Sequence, residues 1–343
     1  MILSPLAALY GKALSLRADW YASGRLESRA LPRPSISVGN LTFGGTGKTP
    51  FVEFLARRLR FEGWRPAVLS RGYGRRSRGV VVVSAGEGAL VSADAGGDEP
   101  VALARSTSGV LVVVGERRID AARRAADLGA DLFLLDDGFQ HLAVRRDVNL
   151  LLLDARDPFG GGRLAPAGRL REPIAAARRA DAFVFTRVDR AAPPQDAVRA
   201  LQRLSPEAPV FHARIRPSDL RDENGAPLDA AGFAHRRLIA VCGVASPAEF
   251  AATLSELGLR PEERLDFRDH QRYGDRQLAR IRSAAERTGA SLVVTTEKDA
   301  VKLAGRTDLP LVTVRLSVEV AESGFFAFLA SRLPAAGPHR DRA

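Results

Sequence analysis

Cysteine is all but missing from this chain: Cys242 is the only one among 343 residues, which excludes a disulfide framework and any multi-cysteine zinc site. Lysine is scarce in an otherwise basic protein. Of 51 basic residues only Lys12, Lys48, Lys298 and Lys302 are lysines; the rest are arginines. Histidines number five, so each one counts. Long apolar runs are also lacking. The best, residues 132–135 and 150–153, are strand-sized against the roughly 20 residues of a spanning helix, so no bilayer crossing is expected. What is present is ordinary for a folded protein: 45% hydrophobic and 27% charged residues, which argues against wholesale disorder. At roughly 150 residues per domain the length suggests about two domains. The formal charge of +11, carried on planar guanidinium groups suited to phosphate, points to an anionic partner such as a nucleotide, a nucleic acid or an acidic lipid surface.

The N-terminal segment MILSPLAALYGKALSLRADWYASGR lacks the charged start and long apolar centre of a secretory signal, so a cytoplasmic location is expected. Within it Ile2, Leu6, Leu9, Tyr10, Ala13 and Leu14 recur at helical spacing, with Lys12, Arg17 and Arg25 for charge and Trp20 and Tyr21 at the end. An interfacial helix on a membrane surface fits this pattern, and so does an amphipathic helix packed on its own domain. After Pro32 and Pro34, apolar runs at 35–38, 67–70, 110–114, 132–135, 148–153 and 182–186 alternate with alanine- and arginine-rich helical stretches. This is the βαβ rhythm of a parallel α/β sheet. A polar stretch at 217–227 interrupts it, and strands resume at 238–242, 292–295 and 311–314. The expected fold is an α/β, P-loop NTPase-like parallel sheet flanked by helices, with a second, smaller α/β domain. The expected divisions are an N-terminal helix in 1–30, a P-loop domain in 31–215, a linker in 216–235, the smaller domain in 236–332 and a disordered tail in 333–343.

The segment SISVGNLTFGGTGKTPFVEFLARRL reads strand, glycine-rich loop, helix, the context a P-loop requires. Gly44, Gly45 and Gly47, around Thr46, let backbone amides approach phosphate oxygens; Lys48 reaches the terminal phosphates, and the Thr49 hydroxyl can ligate Mg²⁺. Thr42 stands where a strict Walker A pattern has glycine. Later, DLFLLDDGFQH is an apolar strand ending in Asp136 and Asp137, where P-loop proteins place the acidic group that manages Mg²⁺. ATP and Mg²⁺ are therefore the expected cofactors. Ser70-Arg71-Gly72-Tyr73-Gly74 offers phosphate donors after a strand, and Asp98 in Gly97-Asp98-Glu99-Pro100 offers a carboxylate able to accept a hydroxyl proton. Arg169 and Arg171 form a clamp for a transferring phosphoryl group, and His270 in FRDHQRY can return to the cleft to orient an aspartate. Thr186-Arg187-Val188-Asp189 echoes a guanine-reading motif but has arginine in place of its lysine, and is read as chance.

In order along the chain, VGNLTFGGTGKTP, SRGYGR, GDEP, LLDDGFQH, LREP, DHQRY and TTEKDAVKL resemble the tetraacyldisaccharide 4'-kinase family, the lipid A 4'-kinases, over residues 1 to about 330. DDGFQH and TEKDAVKL are the most specific of these. The resemblance implies transfer of the ATP γ-phosphate to the 4'-hydroxyl of an acylated disaccharide 1-phosphate, at the cytoplasmic face of the inner membrane, with the N-terminal helix as a peripheral docking element. It implies catalytic roles for Lys48, Asp98, His270 and Arg171, with Asp98 receiving the hydroxyl proton and His270 orienting it. It further implies nucleotide contacts from Gly44 to Thr49 and from Glu172, metal management by Thr49, Asp136 and Asp137, and substrate contacts from Asn40, Arg71, Tyr73, Gln140 and His141. Arg118 matches a family arginine, whereas Arg117 stands where an aspartate is expected, which leaves the role of that loop open. Two domains joined by a two-stranded linker, in a monomeric enzyme, complete the expectation.

Two other classes compete. The P-loop is close to that of ParA/MinD-like ATPase switches, but Phe43 occupies the place of their signature lysine. A nucleic-acid-binding protein would explain the charge yet leaves both nucleotide motifs without a use, so no nucleic-acid partner is expected.

Overall fold

Strands whose every residue is buried need cover on both faces, and this chain has several. The computed structural model describes residues 3–233 and 236–334. Helix α1 (Leu3–Ala22) comes first. The larger unit then runs β1 (Ser35–Asn40), α2 (Lys48–Phe61), β2 (Pro66–Ser70), β3 (Val81–Ala85), the single turn α3 (Ala93–Gly96), α4 (Asp98–Ser106), β4 (Leu111–Val114), α5 (Arg118–Asp127), β5 (Leu132–Asp136), β6 (Val148–Asp154), β7 (Ala182–Thr186), α6 (Gln195–Leu204) and β8 (Val210–Arg221). The smaller unit adds β9 (Pro227–Leu228), β10 (Leu238–Cys242), α7 (Pro247–Glu256), β11 (Glu263–Asp266), α8 (Asp275–Thr288), β12 (Leu292–Thr296), α9 (Glu297–Leu303) and β13 (Leu311–Val320), and α10 (Gly324–Arg332) follows. Strands β1, β2, β4, β5, β7 and β10 are buried throughout, as parallel strands between helical layers are.

The strands form one sheet in the order β11-β10-β12-β13-β8-β7-β6-β1-β5-β2-β4-β3, with β9 beside β8. All pairings are parallel except β3–β4, β8–β9 and β8–β13. The chain leaves β5 on one side of β1 and enters β6 on the other, so the carboxyl end of β1 is a topological switch point, where open α/β sheets bind ligands. One face of the larger sheet packs Phe51, Leu55 and Leu59 of α2 with Val101 and Leu103 of α4. The other packs Ile119, Ala122 and Ala125 of α5.

The ribbon of β8 and β13 joins the units. Its register runs from Ala213 opposite Val320 to Arg221 opposite Thr313, with a bulge between Val314 and Leu316. Strand β8 passes through the start of the polar stretch that reads as linker, because an exposed ribbon alternates: Phe211, Ala213 and Ile215 are buried while Arg214 and Arg216 are exposed. Helix α10 lies inside the stretch expected for the smaller unit. Its Phe325 nonetheless packs on Phe51 and Phe211 of the larger one, at ring distances of 6.0 and 5.0 Å.

Helix α1 is apolar on two faces. Ala7, Gly11, Leu14, Ala18 and Tyr21 form the inner, buried or half-buried stripe. The small residues allow a close approach, since a Cβ on Gly11 would lie 2.6 Å from Leu164 Cδ1. Leu6, Leu9, Tyr10, Leu16 and Trp20 face outward, 38 to 66% exposed. Leu14 thus lies on the inner stripe, while Ile2 falls outside the described residues, as does most of the expected tail. No helix among the described residues is long and apolar enough to cross a membrane.

Candidate active site

The P-loop leaves β1 at Asn40 and enters α2 at Lys48. Gly47 sits at φ 80°, in the left-handed region that glycine enters without steric penalty. A Cβ there would also lie 2.2 Å from Ile215 Cδ1 of β8. Asn40 is fully buried and braces the loop: its amide nitrogen donates to Thr42 O at 2.8 Å and Thr46 Oγ1 at 3.0 Å, and its oxygen accepts from Lys48 Nζ at 2.9 Å. These bonds turn Asn40 into the loop. Thr186 Oγ1 adds a bond to Thr46 O at 2.9 Å, so the first residue of the chance-read guanine motif serves the P-loop, while Arg187 pairs with Asp154 and Glu249.

Strand β5 lies beside β1 with Asp136 opposite Val38, which sets both aspartates next to the P-loop. Lys48 Nζ is 3.5 Å from Asp137 Oδ1, and Arg171 Nη1 bonds both Asp137 oxygens at 2.7 and 2.9 Å. Burial would raise the Asp137 pKa, but Lys48 and Arg171 outweigh it and hold it below the usual value. Asp136 is buried and, among the described residues, accepts only a long bond from Ser70 Oγ, 3.4 Å. Burial, then Glu99 and Asp137, push its carboxyl up to about 7. Arg171 also lies over the Phe43 ring at 5.1 Å. Glu172 is buried and engaged by Arg179, which covers Phe139; its carboxylate orients that arginine.

Gln140 Nε2 donates to Asn40 O at 2.8 Å, and α1 reaches the same segment through Arg17 Nη1 to Gln140 O, 3.5 Å. His141 is half-buried among cations; burial, then Arg118, Arg146, Arg17 and Arg71, lower its pKa to about 4. It lines a cavity of about 260 Å³ with Arg29, Arg117 and Arg118 and with the carboxylates of Glu27 and Glu116. Arg118 is 3% exposed, donates Nη1 to Gly115 O at 2.8 Å and leaves Nε without a partner among the described residues. Burial lowers its pKa to about 10.

Asp98 opens α4 beside the loop after β2 and is 7% exposed. His270, 172 residues further on, reaches it from the smaller unit with Nδ1 at 2.9 and 3.1 Å from the two carboxylate oxygens. The carboxylate only accepts, so Nδ1 carries the hydrogen. Burial would raise the Asp98 pKa, but the hydrogen bond and charge of His270, then Lys302 and Lys298, bring it down to about 2. The same bond from Asp98 raises that of His270 against its own burial. Exposed Tyr73 lies over the imidazole, ring centres 4.9 Å apart, and Arg71 beside it is exposed. The sequence reading passed over Glu99, Lys298 and Lys302, which join the two units at this point: Lys298 pairs with Glu99, and Lys302 Nζ is 3.2 Å from Asp98 Oδ2. TTEKDAVKL was visible as a motif, but nothing in one dimension shows which carboxylates its lysines meet.

The family model of tetraacyldisaccharide-1-P 4'-kinases matches residues 1–334. A tetraacyldisaccharide 4'-kinase of Geobacter sulfurreducens is 45% identical over 304 residues, covering 88% of this chain and 84% of the relative. One of Syntrophotalea carbinolica is 43% identical over 326 residues, 94% and 88% of the two chains. Among solved structures, LpxK from Aquifex aeolicus in complex with ATP aligns with a TM-score of 0.78 at 33% identity, covering 96% of this chain and 98% of that one.

Proposed function

Because this chain belongs to the tetraacyldisaccharide-1-phosphate 4'-kinase family, we propose a division of labour among the residues at its sheet edge. The protein is a tetraacyldisaccharide 4'-kinase of lipid A biosynthesis. The reaction moves the γ-phosphoryl group of ATP to the 4'-hydroxyl of the disaccharide 1-phosphate. The P-loop amides from Gly44 to Thr49 would cradle the triphosphate, with Lys48 and Arg171 turning from Asp137 to the phosphoryl oxygens, where they stabilise developing charge.

The observation that carries the mechanism is the Asp98–His270 bond between the two units. A buried carboxyl held at about 2 is a poor proton acceptor near neutral pH. An imidazole whose Nδ1–H is fixed on that carboxylate presents a basic Nε2, and its raised pKa strengthens it as a base. In this reading His270 accepts the hydroxyl proton and Asp98 orients it, the reverse of the roles drawn from the resemblance. Closure of the units around the substrate would exclude water that competes with the sugar hydroxyl.

Mg²⁺ fits the residues at the end of β5. Buried Asp136, its carboxyl pushed up by burial and neighbouring acids, is short of positive charge, and Mg²⁺ is held through one or two carboxylates plus substrate phosphates. Asp136, Asp137 and the Thr49 hydroxyl would hold it, and bound there it supplies neutralisation of phosphate charge. Arg117, Arg118 and His141 would face the sugar phosphate from a cavity that Glu27 and Glu116 also line, Glu27 being paired with Arg29, with Arg71 and Tyr73 along the sugar. The outward face of α1 would rest on the inner membrane surface as a peripheral anchor.

The test is label transfer from γ-labelled ATP with Mg²⁺ to the tetraacyl disaccharide 1-phosphate in mixed micelles. Label at the 4'-position, absent in Lys48→Ala, is the expected result. ATP hydrolysis by folded protein without lipid labelling would overturn the reading.

A further inference from the structure

Two of the four lysines lie one helical turn apart on α9, so they share a face, and that face meets the first turn of α4. Lys298 engages Glu99. Lys302 Nζ bridges two carboxylates, 3.2 Å from Asp98 Oδ2 and 3.1 Å from Asp299 Oδ1. Asp299 is completely buried. It accepts the Gly243 amide at 2.8 Å, the Thr296 hydroxyl at 2.7 Å and the Tyr273 hydroxyl at 2.9 Å. These partners flank His270: the Gly243 carbonyl accepts the His270 amide at 3.2 Å, and Tyr273 follows three residues after the histidine. His270 itself sits at φ 56°, a strained conformation for a non-glycine residue that persists only where its surroundings hold it. One buried carboxylate therefore fastens the loop that presents the imidazole, and one ammonium fastens that carboxylate to the imidazole's partner on the other unit.

We propose that Lys302, acting with Asp299, is a positioning residue for the phosphoryl-transfer reaction: it holds Asp98 and His270 in register across the two units and tunes the proton affinity of the imidazole. The inference rests on the reading of His270 as the proton acceptor. The choice of lysine supports it in a chain that uses arginine almost everywhere. A compact ammonium with three tetrahedral donors can bridge two carboxylates on different elements, whereas the flat guanidinium fork favours two parallel bonds to one. The Tyr273 ring, 5.5 Å from Nζ, closes the remaining side. The charged groups around the imidazole are Asp98 and Glu99 of α4 and Asp269 of its own loop. Lys298 and Lys302 of α9 stand behind the first two.

The sign of the pH effect follows. Removing the Lys302 charge leaves the carboxylates around His270 less compensated, so the imidazole holds its proton to higher pH and the acid limb of kcat/KM moves upward. The experiment uses the full chain with ATP, Mg²⁺ and lipid in mixed micelles, comparing Lys302→Met, Lys302→Arg and His270→Ala. For Lys302→Met the expected result is a kcat lowered about tenfold or more, the scale of misplacing a catalytic group, with KM for ATP retained and the acid limb raised. Lys302→Arg keeps the charge and loses the bridge, so its kcat falls while its acid limb stays in place. Native kcat together with an unmoved acid limb in Lys302→Met would overturn the proposal. Should that variant not fold, native kcat in folded Lys302→Arg would overturn it. Undiminished turnover in His270→Ala would instead sink the acceptor reading beneath it.

Discussion

At the residue scale the two members of the dyad differ in what their loss should do. His270→Ala removes the acceptor and should cost about 10²–10⁴-fold in kcat, with nucleotide binding retained because the P-loop is untouched. Asp98→Asn keeps a polar partner but no longer favours the Nδ1–H tautomer, so kcat should fall and the acid limb should move down, the charge that raised the His270 pKa being gone. A pH profile of kcat/KM for wild type and Asp98→Asn checks both. The wild-type limb should lie above the ordinary 6.5 of histidine, since Asp98 raises the proton affinity of the folded imidazole. The linkage to stability runs in opposite directions for the two groups. The contribution of His270 is complete below 6.5 and lost as pH rises through its folded value. That of Asp98 is present above 3.8 and lost as pH falls towards about 2.

At the scale of elements, the bulge in β13 matters most for stability. It turns Arg315, 8% exposed, toward Glu53 of α2, with which it pairs, and Nη2 also donates to Ser106 O at 3.0 Å. Glu297 at the start of α9 lies 3.7 Å from Arg315 Nε. Burial raises the pKa of Glu53, and burial, then Glu53 and Asp219, raise that of Glu297 to about 8. Arg315, together with Arg57, thus compensates buried Glu53 where the ribbon, α2 and α9 meet, beside half-buried Glu297. Removing one partner of such a group leaves uncompensated charge, so Arg315→Met should lose about 3 kcal/mol at neutral pH. An acid with a raised folded pKa favours the folded state as it takes up its proton, so the loss should shrink as pH falls from about 8 toward 5. Denaturant melts at the two pH values measure it.

At the scale of the whole molecule, an apolar stripe outside α1 and a formal charge of +11 would act together on an anionic bilayer in the proposed docking. The charge term is screened by salt, whereas the apolar term, about 1.5–3 kcal/mol for each large side chain fully buried, is not. Flotation with anionic vesicles should therefore show binding that weakens with salt and keeps a salt-resistant remainder. The double variant Leu6→Ser, Leu9→Ser should lose that remainder by about tenfold or more while the salt-sensitive part persists. Equal binding by both proteins at high salt would show that α1 does not insert.

Most of the parallel strands, the glycine-rich turn and the paired aspartates were legible in one dimension, because each rests on local periodicity or on residue types at fixed spacing. Asp136 and Asp137 fall at the end of β5 beside β1, and Lys48 and Thr49 open α2 after the P-loop, as their motifs require. Strand β8 was hidden, since a solvated ribbon carries charge that reads as linker. The protein partners of Asn40 and Glu172 were hidden too: nothing in one dimension shows that Asn40 braces the P-loop or that Glu172 meets Arg179. Which half of α1 faces the body depends on a stripe of small residues whose meaning appears only against Leu164. The Asp98–His270–Lys302–Asp299 chain spans some 200 positions, and sequence spacing says nothing of contacts made across such a distance. Sequence alone determined which chemistry this protein carries, because motifs are local. Only the tertiary structure decided which charges surround Asp98 and His270, because folding brings them together from distant parts of the chain and their burial and proximity set proton affinity.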